Sequence, residues 1–407
     1  MSEINTMRNV AFAVHKEVRI ALMGCGGRGR GLLNDLLACP GVEIVAVHDT
    51  NPEMAAKALA QVVKKERAEP TVFTGDVADV LDPTKLDLVY IATPWERHTA
   101  YAVAAMEAGL HVAVEVPAAT TLDECWALVE ASERTRRHCV QLENCCYGYN
   151  ELLMRALADS GRLGTLTHGE AAYIHDLRHL LLSDQSEGLW RREPHKTKDG
   201  NFYPTHGLGP IAQCFGIHRG DRFARHVSMS SIEASLTDTR DAIVPEDSPK
   251  RAETYTCGDM NTSLIQTAQG RTIVLQHDVV TPRPYSRGTL LQGTKGAFRD
   301  WPAGVFLEAD PVNPHHGGWE SLDSIKEELE PPLWKELGEK ARETGGHGGM
   351  DFMLNYRLIQ CLLEGLVPDM DVYDAAAWSA PGPLSELSVA QGSIPLEFPD
   401  FTRGHWL

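Results

Sequence analysis

The chain has 407 residues, with 56 aspartates and glutamates against 38 lysines and arginines, for a formal net charge of −18. That length allows two domains with sizeable cores, and the charge argues against a nucleic-acid surface or an anionic membrane as partner. No apolar run approaches a membrane span. Residues 1–16 lack the basic, apolar and small-residue regions of an export signal. Nine cysteines, including the neighbours Cys145 and Cys146, suit reduced thiols. A cytoplasmic protein is expected, with removal of an earlier export signal as the alternative.

The first element is an apolar run over 18–23, read as a buried strand. Gly24-x-Gly26-x-x-Gly29 follows at once, with Arg28 inside it, and then a helical run over 32–38. Strand, glycine turn and helix in that order point to a dinucleotide. Gly24 makes the turn, Gly26 lets pyrophosphate approach the backbone, Gly29 lets helix pack on strand, and the helix amides receive the phosphates. A second apolar run, 42–47, leads to Asp49, twenty residues after Gly29. A carboxylate there accepts ribose hydroxyls and repels a 2′-phosphate, which favours NAD over NADP. A plain glycine turn beside a surface aspartate is the alternative.

Residues 52–65 carry alanines at helical spacing, 71–73 form a short strand, and 86–92 form a buried one broken by Thr93-Pro94. Ligands of doubly wound sheets sit at the carboxyl ends of strands. Trp95 and His98, ahead of a helix over 99–108, are therefore candidate cofactor contacts. A strand over 111–115 runs into Glu115-Val116-Pro117, a helix covers 122–136, and a strand over 139–142 precedes Asn144 and Tyr147. This α/β alternation predicts a doubly wound parallel sheet of the Rossmann type over 17–148.

From about residue 149 the pattern changes. A helix over 151–158 is followed by strand-like runs at 168–174, 223–236, 254–267 and 272–280, with a hairpin turn at Ala268-Gln-Gly-Arg271. Further strands are read at 288–293 and 305–308. Two irregular stretches interrupt them, 182–209 and 309–349, the second carrying His315-His316 and Gly345-Gly-His347; loops of this size are functional or mobile. Helices at 350–364 and 375–391 close the chain. A second domain of α+β class is expected over 149–407, with a large open, mostly antiparallel sheet and closing helices that could return to the first domain. An apolar outer sheet face would call for a second copy, so a homo-oligomer is expected.

A nucleotide fold followed by an open antiparallel sheet resembles the Gfo/Idh/MocA superfamily of glucose–fructose oxidoreductase and inositol dehydrogenase. There, Glu-Lys-Pro at the end of the fifth strand supplies a lysine for hydride transfer. Here Glu115-Val116-Pro117 stands in its place, without the amine. Several segments resemble glycoside hydrolase family 109, the NAD-dependent glycosidases of the α-N-acetylgalactosaminidase type. They include Met23-Gly-Cys-Gly-Gly-Arg-Gly29, Pro94-Trp-Glu-Arg-His98, Glu143-Asn-Cys-Cys-Tyr147, Gly188-Leu-Trp-Arg-Arg192, Tyr203-Pro-Thr-His-Gly-Leu-Gly-Pro210 and Pro282-Arg-Pro-Tyr-Ser-Arg287.

The resemblance implies hydrolysis of N-acetylgalactosaminides, as small molecules or glycan ends, with NAD tightly held and regenerated in each turnover. NAD-dependent hydrolysis stands outside the two-carboxylate scheme. It needs a base near C3, a base near C2, an acid for the leaving oxygen and a polar cradle for the sugar. His206 is the candidate to take the C3 hydroxyl proton, and by resemblance Tyr147 takes the C2 proton. Tyr203, projecting from the same proline-fixed segment as His206, is a third catalytic candidate. Cofactor contacts are expected from Gly24, Gly26, Arg28, Gly29, Asp49, Trp95, His98, Glu115, Val116 and Asn144. Substrate contacts are expected from Tyr173, Arg191, Tyr203, His206 and Tyr285, with Arg191 and Arg192 undivided by sequence. Each has a plainer reading: a core histidine, a tyrosine stacked on the cofactor, a helix-capping Glu115, packing by Trp95, surface ion pairs for the arginines. His175 and His179 have i, i+4 spacing but lack a zincin glutamate, so no metal is expected. A sugar dehydrogenase with net redox turnover and a non-catalytic NAD or sugar sensor are the competing functions.

Overall fold

A computed structural model describes residues 6–309 and 317–407; His315-His316 lie outside the described residues. The chain divides into two units, each assembled from two segments: Met1–Gly148 with Pro332–Ser379, and Tyr149–Pro331 with Ala380–Leu407.

The first unit holds six parallel strands: β1 (Val18–Met23), β2 (Val42–His48), β3 (Thr71–Phe73), β4 (Leu88–Ile91), β5 (His111–Val114) and β6 (Cys139–Gln141). Their order, β3-β2-β1-β4-β5-β6, is the doubly wound order, and it reverses beside β1. Every residue of β4 and β5 is buried, as parallel strands covered on both faces require. The helix Gly27–Ala38 begins earlier than its apolar pattern because glycines fill its first turns. The helix Trp95–Glu107 takes in Trp95 and His98, which the sequence placed ahead of it. Leu122–Thr135 starts on a capping box, with Thr121 Oγ1 accepting from Glu124 N and Glu124 accepting from Thr121 N.

The returning segment brings the helices Met350–Glu364 and Val372–Ser379. The Tyr90 hydroxyl donates to Asn355 Oδ1 at 2.9 Å, and Ser379 Oγ donates to Gln141 Oε1 at 3.0 Å. The helix expected over 375–391 is two helices. Pro381 opens the second, Pro381–Ala390, since its missing N–H cannot extend the ladder of the first.

The second unit holds β7 (Leu166–Ile174), β8 (Phe223–Ser230), β9 (Asn261–Thr267), β10 (Thr272–Asp278), β11 (Leu290–Gly293), β12 (Gly296–Arg299), β13 (Gly304–Leu307) and β14 (Leu396–Glu397). They form one sheet in the order β13-β12-β11-β7-β10-β9-β8-β14. Only β7 and β10 run parallel; the other pairs are antiparallel. The runs 223–236 and 254–267 are shorter as strands than their composition suggested, and Ser235–Ile243 is helical. The stretch 309–349 contains the helices Asp323–Leu329 and Pro332–Thr344. The second of these buries only Trp334, Gly338 and Ala341, a stripe at helical spacing whose glycine and alanine make a weak apolar signal.

The helix Thr205–Phe215 was hidden in the stretch 182–209 by two glycines and Pro210. A Cβ on Gly207 would stand 2.4 Å from Ala172 N, so this helix lies directly on β7 with no side chain between. Among the described residues, no helix is long and apolar enough to cross a membrane.

Candidate functional site

The glycine loop of the first unit is shaped by what a side chain would strike. Gly24 has φ +89°, and a Cβ there would meet Ala92 O at 2.4 Å; a Cβ on Gly29 would meet Gly24 O at 1.8 Å. Around Gly26 nothing lies within 4 Å of that position. The helix Gly27–Ala38 has no side-chain cap at Gly26, which leaves its first amides for another acceptor. This opening fits a pyrophosphate. Asp49 Oδ2 accepts from Cys25 N at 2.8 Å and Oδ1 from Asn51 N at 2.8 Å. It thus braces the loop, while each oxygen keeps a second lone pair for a ribose hydroxyl.

Trp95 is buried in the first turn of its helix. His98 is fully buried, with Nδ1 2.8 Å from Pro117 O and Nε2 2.8 Å from Thr93 O. It pins the loop after β4 to the loop after β5, and burial lowers its pKa despite those carbonyls. Both ring nitrogens are engaged by main chain, so its bearing on a cofactor is through the loops it joins.

Arg28 is tied to two carboxylates. Its Nε donates to Glu115 Oε1 at 2.6 Å, Nη1 to Asp351 Oδ2 at 2.6 Å and Nη2 to Asp351 Oδ1 at 3.1 Å. Glu115 Oε2 also accepts from Val116 N at 3.2 Å, and Asn144 Nδ2 donates to Asp351 Oδ1 at 2.7 Å. Val116, Glu115 and Asn144 are all buried. Burial alone would raise the pKa of Asp351, yet His347 and Arg28 hold it far below the usual carboxylate range. Asp351 in turn raises His347.

Asp35 lies in the same cluster, 1% exposed, and its carboxyl oxygens lack any partner of good hydrogen-bond geometry. Burial, reinforced by the Asp351 carboxylate, pushes its pKa up to about 7, against about 4 in an unfolded chain. Between those values the folded protein holds the extra proton. The group's contribution to stability is therefore complete below about pH 4 and is lost as pH rises through 7. Asp35→Asn is expected to melt at a higher temperature than the parent near pH 8 and to lose most of that advantage by about pH 4, the difference being on the order of a few kcal/mol. Thermal melts at both pH values check this; an equal difference at both would reject the raised pKa.

Tyr147 is buried, and its hydroxyl donates to Asp369 Oδ2 at 3.1 Å. Asp369 is itself held by Arg357 through Nε at 2.9 Å and Nη2 at 2.9 Å. Burial first, then the Asp369 charge, drives the phenol pKa well above its ordinary value. These surroundings supply no cause for a phenolate. Asp369 and Asp351 reach Tyr147, Arg28 and Asn144 only when the chain returns at Pro332–Ser379, so their parts here carry no local sequence signal.

The second unit gathers all five of its expected residues. The Tyr203 ring lies 4.7 Å from Tyr173 and 4.8 Å from His206, Tyr173 lies 5.4 Å from His206, and Tyr285 lies 6.2 Å from Tyr173. Arg191 places its guanidinium 4.8 Å over the Tyr203 ring and donates to Glu187 at 2.6 Å. Arg192 points elsewhere, into Glu253 at 2.9 Å and the Leu181 carbonyl at 2.7 Å. The sequence could not divide the two arginines; packing does. His206 stands in the first turn of Thr205–Phe215, 9% exposed. Asn201 Oδ1 accepts from Tyr203 N at 3.0 Å and fixes the approach to that turn. The sequence missed His175 as a partner: its Nδ1 lies 2.8 Å from the Tyr173 hydroxyl. His175 precedes the short helix Arg178–Leu181, so the i, i+4 spacing to His179 is not one helical turn.

The sequence model described as "Glycosyl hydrolase 109, C-terminal domain" matches residues 147–407. The chain belongs to glycoside hydrolase family 109. Residues 18–142 match "Oxidoreductase family, NAD-binding Rossmann fold". A family 109 protein of Solibacter usitatus is 52% identical over 406 residues, covering 98% of this chain and 92% of its own. Another, of Saccharopolyspora erythraea, is 46% identical over 405 residues, covering 98% and 87%. Among solved structures, a levoglucosan dehydrogenase in complex with NADH and levoglucosan has the same fold, with a TM-score of 0.73 at 18% identity, covering 94% of this chain and all of that one. An inositol dehydrogenase homolog of Azotobacter vinelandii, complexed with NADH and myo-inositol, gives 0.66 at 18% identity over 96% and 100%. Family 109 membership and the Gfo/Idh/MocA fold support an NAD-dependent glycosidase or oxidoreductase.

Proposed function

We propose that the protein is an exo-glycosidase that hydrolyses terminal N-acetylgalactosaminides with NAD held throughout the cycle. The observation that carries this is the cluster of Tyr173, Tyr203, His206, Tyr285 and Arg191 in one unit, from a chain of family 109. NAD, when bound, supplies a reversible hydride acceptor for sugar C3, and the C3 ketone acidifies the C2 proton so that the C1 substituent leaves and water adds back.

In the first unit the open amides at Gly26 take the pyrophosphate, Asp49 the ribose hydroxyls, and Glu115, Val116 and Asn144 flank the nicotinamide end, with Trp95 packed nearby. In the second, His206 accepts the C3 hydroxyl proton and later returns it. Tyr203 and Tyr173 offer hydroxyls and ring faces to the sugar, and Arg191 adds a charged donor. Tyr285 completes the cradle. Tyr147 serves as base at C2 only if Asp369 first receives its proton, which Arg357 opposes by stabilising the carboxylate. The outer sheet face, where Val227, Leu264 and Val274 are neighbours in register and Leu264 is exposed, suits a second copy of the chain.

The test supplies an aryl α-N-acetylgalactosaminide in deuterated water without added cofactor. Phenol release without stoichiometric NADH, and deuterium at C2 of the product, are the expected results. A product without C2 deuterium rejects the elimination route. NADH accumulating from free sugar would make the protein a dehydrogenase, and silence across a sugar panel would make it a binding protein.

A further inference from the structure

Asp351 sits where the segments that follow three strands, β1, β5 and β6, are tied together. Its Oδ1 accepts from Arg28 Nη2 at 3.1 Å and Asn144 Nδ2 at 2.7 Å; its Oδ2 accepts from Arg28 Nη1 at 2.6 Å and His347 Nδ1 at 2.8 Å. Arg28 stands in the first turn of the helix that follows β1, Asn144 follows β6, and Glu115, tied to the same guanidinium, follows β5. The carboxyl ends of those strands are where a doubly wound sheet holds its ligand. Asp351 is 2% exposed, and its four acceptor sites are filled. It therefore has nothing left to offer a ligand directly. Gly346 closes over it, with room for no Cβ: that atom would stand 2.8 Å from Asp351 Cβ.

We propose that Asp351 is a positioning residue for NAD, which sets Asn144 directly and Glu115 through Arg28 at the nicotinamide end of the cleft. The inference rests on the NAD reading given above. Because Arg28 is neutralised between two carboxylates, it serves as a brace among loops, and the phosphates are left to backbone amides. An asparagine at 351 could keep the shape but would turn an amide toward groups that are all donors, and would lose the bidentate pairing with Arg28.

The experiment measures the dissociation constant of NAD on cofactor-stripped full-length protein by calorimetry, together with kcat at saturating NAD and a melting curve. The parent, Asp351→Asn, His347→Ala and, as a buried control in the same unit, Ser379→Ala are compared. Asp351→Asn is expected to bind NAD at least about tenfold more weakly and to lose kcat at saturating NAD, while Ser379→Ala binds as the parent does. His347 is 55% exposed, so its removal spares the fold. It should weaken NAD several-fold, more so at low pH, where the parent's imidazole is charged. This arm decides the matter if Asp351→Asn does not fold. Parent-like affinity and kcat in a folded Asp351→Asn, or in His347→Ala where Asp351→Asn does not fold, overturn the positioning role while leaving the NAD site standing. A parent protein that binds no NAD overturns both.

Discussion

Replacing His206 by glutamine is expected to lower hydrolysis by about 10²–10⁴-fold, the range usual for removal of a general acid–base group, with little change in NAD content. Histidine is the side-chain type most often used to take up and return a proton in general acid–base work, and His206 stands against Tyr173 and Tyr203 in the cluster. The arginine stays charged, and tyrosines in water release their protons only near pH 10. Glutamine keeps a polar side chain of similar reach and leaves the first turn of Thr205–Phe215 intact. The loss should therefore appear in kcat more than in KM, with an unshifted melting temperature. A variant that turns over at more than about a tenth of the parental rate would remove His206 from the chemistry and return it to the role of a packed core histidine.

The glycine loop gives a second large effect, and here two neighbouring glycines should behave differently. Gly29→Ala places a Cβ 1.8 Å from Gly24 O. No rotamer relieves that overlap, because the Cβ is fixed by the backbone. Helix and turn must separate, at a cost beyond the ~1–3 kcal/mol typical of overpacked cores, so both melting temperature and NAD binding should fall. Gly26→Ala adds the same methyl group where nothing lies within 4 Å. The stripped variant should melt like the parent, yet retain no NAD, since the methyl occupies the approach of the pyrophosphate. Cofactor released on denaturation, quantified against protein, separates the two. A Gly26→Ala protein that purifies with a full complement of NAD would show that the phosphates do not lie against that residue.

Much of the first unit could be read from sequence because its signals are local. Each strand through β6 is a short apolar run ended by a turn, and the Gly24–Gly29 spacing needs only neighbouring residues to be understood. The capping box at Thr121 and Glu124 is likewise contained in four positions. What escaped reading depends on distant partners. Thr205–Phe215 looks like a loop because its glycines and Pro210 disfavour a helix; it forms because Gly207 lets it lie on β7. Tyr147 carries a recognisable motif, but the carboxylate that accepts its hydrogen bond belongs to Asp369, and nothing near either residue predicts the pair. The choice between Arg191 and Arg192 was made by Glu253 and the Leu181 carbonyl, which claim one of them. The run 223–236 misled for the opposite reason: its β-forming composition continues past the point where the backbone turns into Ser235–Ile243.

The division of each unit into two stretches of sequence has a consequence for how the protein is made. At ordinary synthesis rates, roughly 10–40 s separate the emergence of residue 148 from that of residue 351. Through that interval the nascent parallel sheet lacks the helix that carries Asn355 and Asp351. Tyr90 lacks its Asn355 acceptor, and Arg28 and Asn144 lack their shared carboxylate. The second sheet meanwhile awaits β14, which pairs with β8 only when the last residues arrive. The two units are thus interleaved in time as well as in sequence. Neither is a bead that ripens alone, and the nucleotide loop reaches its final form only after most of the other unit has left the ribosome.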